Sequence, residues 1–152
     1  MFSEMLGNKY FSARNYKNAA INYQHILQSD PINIAARKKL IICYTQTGQI
    51  QKAFDNFYQL VKEDINSITD TNLVAEDYPC KELVEKYGSL LPNEKDSFDM
   101  KLMLAMLWLY CDAKKSLEFF KRILVEKQSD SRIREIVSLI EKRINAINKL
   151  TH

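Results

Sequence analysis

MFSEMLGNKYFSARNYKNAAINYQHILQSDPINI (residues 1–34) is followed by AARKKLIICYTQTGQIQKAFDNFYQLVKEDINSI (residues 35–68), and the two lie on each other when shifted by 34 residues. Leu6 falls on Leu40, Tyr10 on Tyr44, Ala19 on Ala53, Tyr23 on Phe57, Ile26 on Leu60 and Asp30 on Asp64. A repeat of this length is the mark of an architecture stacked from small supersecondary units. Its internal spacing is helical. Leu6 and Tyr10 are four apart and share one face of a first helix, and Ala19, Tyr23, Ile26 and Leu27 share one face of a second. Between them, Ala13-Arg14-Asn15 and Thr47-Gly48-Gln49 read as tight turns, in which Gly48 accepts a positive φ freely and Asn15 less readily. The small Ala19 and Ala53 allow close helix approach, and Asp30-Pro31 ends the second helix and opens the next.

Leu6-Gly7, Tyr10, Tyr16, Ala19, Tyr23, Ile26 and Pro31 together resemble the tetratricopeptide repeat at nearly every signature position. Leu40, Tyr44, Gly48, Ile50, Ala53, Phe57 and Leu60 resemble it a second time. The second copy departs in carrying Ile41 where a small residue is usual and Ile65 where the repeat closes on proline. The resemblance implies an all-α fold, an α-solenoid of stacked antiparallel hairpins forming a superhelix. Repeat 1 spans residues 1–33 and repeat 2 spans 34–67. Residues 68–92 read as an irregular hairpin, Thr69 to Asp77 against Pro79 to Leu91, with Gly88 and Pro92 marking a further break. A degenerate repeat follows at 97–128: Asp96 or Ser97 caps a helix from Phe98 to Tyr110, and Asp112 caps one from Ala113 to Lys127. There Leu107, Ser116, Phe120 and Ile123 stand in for the signature positions. The tail, residues 131–150, carries Ile133, Ile136, Val137, Ile140, Ile144, Ile147 and Leu150 as one stripe, the pattern of a helix that closes the end of a solenoid.

Composition agrees with a helical globular chain. Of 152 residues 46% are hydrophobic and 27% charged, and glycine and proline number three each, too few for the turns of a β-rich domain. The most apolar run, Met100 to Cys111, is twelve residues and includes Lys101, short of the ~18 needed to cross a bilayer, so it reads as a buried helix. Met1 to Tyr10 contains no signal-peptide core. Net charge is +3, distributed as +3 over residues 1–67, −4 over 68–97 and +4 over 98–152, which is not a nucleic-acid stripe. A cytoplasmic protein that binds neither nucleic acid nor membrane is the expectation.

No nucleotide-binding, hydrolase-elbow or zincin motif occurs. Cys43, Cys80 and Cys111 form no CxxC pair, and His25 and His152 are the only histidines. His25 reads as a solvated helix position. The chain is therefore expected to be no enzyme, to hold no cofactor or metal, and to bind another protein or a peptide segment. The resemblance places the binding groove on the first helix of each hairpin: Glu4, Asn8, Phe11 and Ser12 in repeat 1, and Ala35, Lys38, Ile42, Thr45 and Gln46 in repeat 2. Phe98, Lys101, Ala105 and Trp108 follow in the degenerate repeat. Phe11, Ile42 and Trp108 are apolar residues that the repeat signature does not require, hence candidate anchors. The carboxylate clamp of one subfamily is not expected. Asn8 matches it, but Glu4 stands where a clamp lysine is needed, Lys39 where a second asparagine is, and Leu102 where the arginine is. Competing readings are a secretion-type chaperone and a self-association module, a homodimer through the terminal helix.

Overall fold

The turn that closes the first hairpin is set by one left-handed residue. In a computed structural model, which describes residues 1–90, 97–126 and 130–150, helix α1 (Glu4–Ser12) ends at Ala13, and Arg14 takes φ 61°. The Asn15 N–H then donates to the Tyr10 carbonyl at 2.8 Å, and the Asn15 side chain caps helix α2 (Tyr16–Ser29) by accepting from the Asn18 N–H at 3.2 Å. The same device recurs 34 residues later. Helix α3 (Ile34–Gln46) meets helix α4 (Ile50–Asp64) across Gly48 at φ 74°, with the Gln49 N–H on the Tyr44 carbonyl at 2.9 Å. The strained position is thus Arg14, the counterpart of Gly48, and not Asn15, whose role is the cap. The chain divides into two compact units, residues 1–57 and 58–152.

In the first unit α1 packs on α2, α2 on α3, and α1 also touches α3. The repeated positions are buried alike: Ala19, Tyr23, Ala53 and Phe57 are all fully enclosed. Gly7 shows how close α1 lies to α2, because a Cβ there would sit 2.9 Å from Tyr23 Cε1. Ser3 caps α1 by accepting from the Leu6 N–H, and its own N–H donates to Asn22 Oδ1 on α2. Pro31 stands in the turn after α2, and α3 opens at Ile34 under an Asn33 cap, later than Asp30-Pro31 suggested. The Asn33 carboxamide supplies the acceptor that proline cannot.

In the second unit helix α5 (Asn66–Thr69) is followed by helix α6 (Cys80–Leu90), α7 (Phe98–Cys111), α8 (Ala113–Glu126) and α9 (Ser131–Leu150). Helices α6 to α9 pack in chain order, each on the next, and α5 lies on α7. The expected helical arm from Thr69 to Asp77 is not formed: α5 stops at Thr69 and turns occupy the stretch up to Asp77, at φ 54°. Local side chains satisfy the backbone there instead. Thr71 Oγ1 donates to the Ile68 carbonyl at 2.7 Å, and Asn72 Oδ1 accepts from the Ala75 N–H at 3.0 Å.

From Leu102 to Tyr110 helix α7 is apolar on every face, and it is buried at Leu102 through Leu107 and again at Leu109 and Tyr110. Ser116 of α8 donates to the Ala105 carbonyl at 2.7 Å, the close contact expected of a small residue at that position, with Phe120 and Ile123 enclosed beside it. Ser97 caps α7, Asp112 caps α8, and Asp130 caps α9. Asp96, Leu91, Pro92, Lys127 and His152, used above to place boundaries or weigh a metal site, lie outside the described residues. Among the described residues there is no strand, and no helix is long and apolar enough to cross a membrane.

Candidate functional site

Helix α1 presents one accessible face. Glu4, Met5, Asn8, Lys9 and Ser12 follow helical spacing and line a shallow depression on it. Met5, with 74% of its surface exposed, is the apolar part of this face and was not singled out from the sequence. Beneath the face lies a polar knot. Asn8 Oδ1 accepts from the Tyr23 hydroxyl at 2.6 Å and from Lys39 Nζ at 3.2 Å, and Lys39 Nζ stands 5.7 Å from the Phe11 ring centroid. Burial pushes the Tyr23 phenol well above its ordinary range, with Cys43 and Glu4 adding to the effect, so the hydroxyl stays a donor at any physiological pH. Asn8 therefore serves the fold as well as the surface, with its carbonyl oxygen committed to α2 and α3.

Five of the expected groove residues, Phe11, Lys38, Ile42, Thr45 and Ala105, are buried. Phe11 is 1% exposed, edge-on to Tyr16 and Tyr23 with ring centroids 6.2 and 6.3 Å away. Ile42 is completely enclosed, and Lys38 and Thr45 are buried with it, because α3 is covered from Lys38 through Thr45 without a gap. Thr45 Oγ1 donates back to the Ile42 carbonyl at 2.6 Å. The run Leu40-Ile41-Ile42-Cys43-Tyr44 is apolar around the whole helix, and this signal, read without the repeat, marks a helix with no free face. Gln46 is half-exposed at the end of α3, its Nε2 on Thr45 Oγ1. Ala35 is half-buried, as is Phe98, while Ala105 is buried under Ser116.

In the second unit Lys101 is half-buried and forms an ion pair with Glu126 across α7 and α8. Trp108 is half-buried as well. It walls a cleft of about 360 Å³ with Lys81, Val84 and Glu85 of α6 and Cys111 of α7. A second cleft, about 390 Å³, shares Cys111 and Asp112 with the first and is lined also by Leu109, Lys114, Arg143, Ile144 and Ile147 among others. Neither cleft is legible in the sequence, since each is made by residues of different helices that meet only in the folded unit. Arg143 is held at the rim, its Nε on Thr69 Oγ1 at 3.2 Å and its guanidinium 2.9 Å from Asp70 Oδ1.

Cys111, which borders both clefts, is a thiol and not a thiolate. Burial, with the Asp112 charge adding, pushes it up to about 11. Burial likewise pushes Cys43 to about 12. His25 is exposed, its ring 5.2 Å from that of Phe2. Among the described residues no three His, Cys, Asp or Glu side chains are grouped to hold a metal ion. These surfaces offer apolar side chains framed by charges, which suits binding. Comparison of the chain with family models, with characterised proteins and with solved structures finds no match in any of the three.

Proposed function

We propose that this chain is a tetratricopeptide-type helical repeat protein that works by binding a segment of another protein. The observation that carries the reading is the equivalence of the two hairpins. The same left-handed turn residue, the same hydrogen bond from position 15 or 49 back to a tyrosine carbonyl, and the same enclosed alanine and aromatic recur 34 residues apart. Repeats of this kind exist to expose a ligand surface on a rigid stack. The working face is α1, where Glu4, Met5 and Ser12 are accessible beside Asn8, and where an exposed methionine can adapt to a partner's apolar side chain. We place the protein in the cytosol, with its cysteines as thiols.

The test is affinity capture from the source lysate with three baits. Met5→Asp with Ser12→Arg changes two exposed α1 residues, and Lys17→Glu with Lys52→Glu changes two exposed residues of α2 and α4. The parent and the second variant should retain the same principal partner, and the first should lose it with its circular dichroism unchanged. A parent that captures nothing beyond the tag control would refute the binding role. Loss confined to the Lys17/Lys52 variant would refute the α1 face.

A further inference from the structure

Helix α8 buries one side and leaves the opposite side to solvent. Its enclosed positions are Ser116, Phe120 and Ile123. At about 100° per residue, Lys114, Glu118, Lys121 and Val125 fall opposite them, with Lys115 and Arg122 alongside. All six are exposed, and Val125 keeps 71% of its surface. This face therefore sets four cations against one carboxylate. Elsewhere in the unit Lys101 is paired with Glu126 and Arg143 with Asp70. Among the described residues, none of the four cations on α8 closes an ion pair. Arg122 is positioned instead by an aromatic ring, its guanidinium carbon 5.1 Å from the Phe119 centroid. That stack fixes the guanidinium and leaves its N–H edge open to a carboxylate.

The order of the charges narrows what fits. Lys114, Glu118, Lys121 and Val125 are spaced four, three and four apart and form one ridge: cation, anion, cation, apolar. The two lysines stand about 10.5 Å apart along the axis. A nucleic-acid backbone is uniformly negative, and Glu118 would oppose it from the middle of the ridge. An anionic lipid surface meets the same carboxylate and finds only Val125 to bury. A helix carrying carboxylate, cation, carboxylate and an apolar residue at the same spacing matches every position. We propose that α8 docks such an acidic amphipathic helix of a partner protein along this ridge, with Arg122 taking a further carboxylate at its flank. The surface shares no residue with the α1 face and goes beyond the binding proposed there.

Fluorescence anisotropy with defined peptides tests this. Two labelled, alanine-based helical peptides carry the complement in the two chain directions, Glu-x3-Lys-x2-Glu-x3-Leu and Leu-x3-Glu-x2-Lys-x3-Glu. One of them should bind the full chain, and more weakly as salt rises. Lys114→Glu with Lys121→Glu should weaken it at least tenfold with circular dichroism and melting unchanged, since both side chains are exposed. Lys142→Glu with Lys149→Glu reverses two exposed cations of α9 and should bind as the parent does. Glu118→Lys is the sharpest variant, because it adds positive charge and yet should weaken the peptide by several-fold. Tighter binding by Glu118→Lys means unspecific attraction to acids and overturns the proposal. So does failure of both peptides to bind, equal binding of a peptide with the same composition in scrambled order, or tighter binding of a single-stranded DNA oligomer. A loss with Lys142→Glu/Lys149→Glu as large as with Lys114→Glu/Lys121→Glu overturns it equally.

Discussion

Gly7 and Gly88 both sit inside helices, and the same substitution should move their units in opposite directions. Replacing a helical glycine by alanine removes backbone freedom from the unfolded chain and by itself stabilises by about 0.5–1 kcal/mol. At Gly88 in α6 an added Cβ meets nothing within 4 Å, so Gly88→Ala should deliver that gain. At Gly7 the new methyl would sit 2.9 Å from Tyr23 Cε1 and 3.2 Å from Asn22 Cβ. The ring cannot swing aside, because it is fully enclosed and its hydroxyl is tied to Asn8 Oδ1 at 2.6 Å. Overpacking of this kind costs about 1–3 kcal/mol, which outweighs the helix gain and leaves Gly7→Ala less stable by up to about 2 kcal/mol. Guanidinium titrations would read both. Trp108, the sole tryptophan, reports the second unit by fluorescence, and far-ultraviolet circular dichroism reports both units. Two probes are needed because two units need not unfold together. If Gly7→Ala gains stability as Gly88→Ala does, α1 does not approach α2 as closely as described.

Three further outcomes follow from the same packing. Ile42→Ala should cost about 2–5 kcal/mol in a denaturant titration, as for an enclosed aliphatic side chain, where a groove-surface residue would cost within about 0.5. Arg14→Gly should relieve a left-handed residue and raise the melting temperature, whereas Gly48→Ala, which creates one, should lose about 1–2 kcal/mol. Cys111 should resist alkylation in the native protein. With its thiol pushed up to about 11, the reactive thiolate is fully populated only above that pH, so at pH 8 iodoacetamide should label it roughly 100-fold more slowly than in denaturant. Equal rates in the two conditions would show a thiol that is neither buried nor acid-shadowed.

The sequence by itself determined the hairpins. Small residues at Ala19, Ala53 and Ser116, aromatic ones at Tyr23, Phe57 and Phe120, and cap residues at Asp112 and Ser97 all do locally what their chemistry and spacing imply, because caps, turns and helix faces depend on neighbours within a few residues. Glu4 and Ser12, which the resemblance placed in a groove, line the shallow depression on α1. Burial of a second helix face was legible only in the all-round apolar run Leu40 to Tyr44. Lys38 and Thr45 lie outside that run and off the packing stripe of α3, and the tertiary structure shows that Lys38 to Thr45 is covered without a gap. The terminal stripe divides on the same ground: its seven apolar positions share one periodicity, yet Ile133 to Ile140 are buried on α8 while Ile147 and Leu150 stand in solvent. Periodicity encodes which residues share a face. How far along a helix its neighbour extends is a property of the assembled chain, and so are the two clefts at the α7–α8 elbow, each built from residues that meet only after folding.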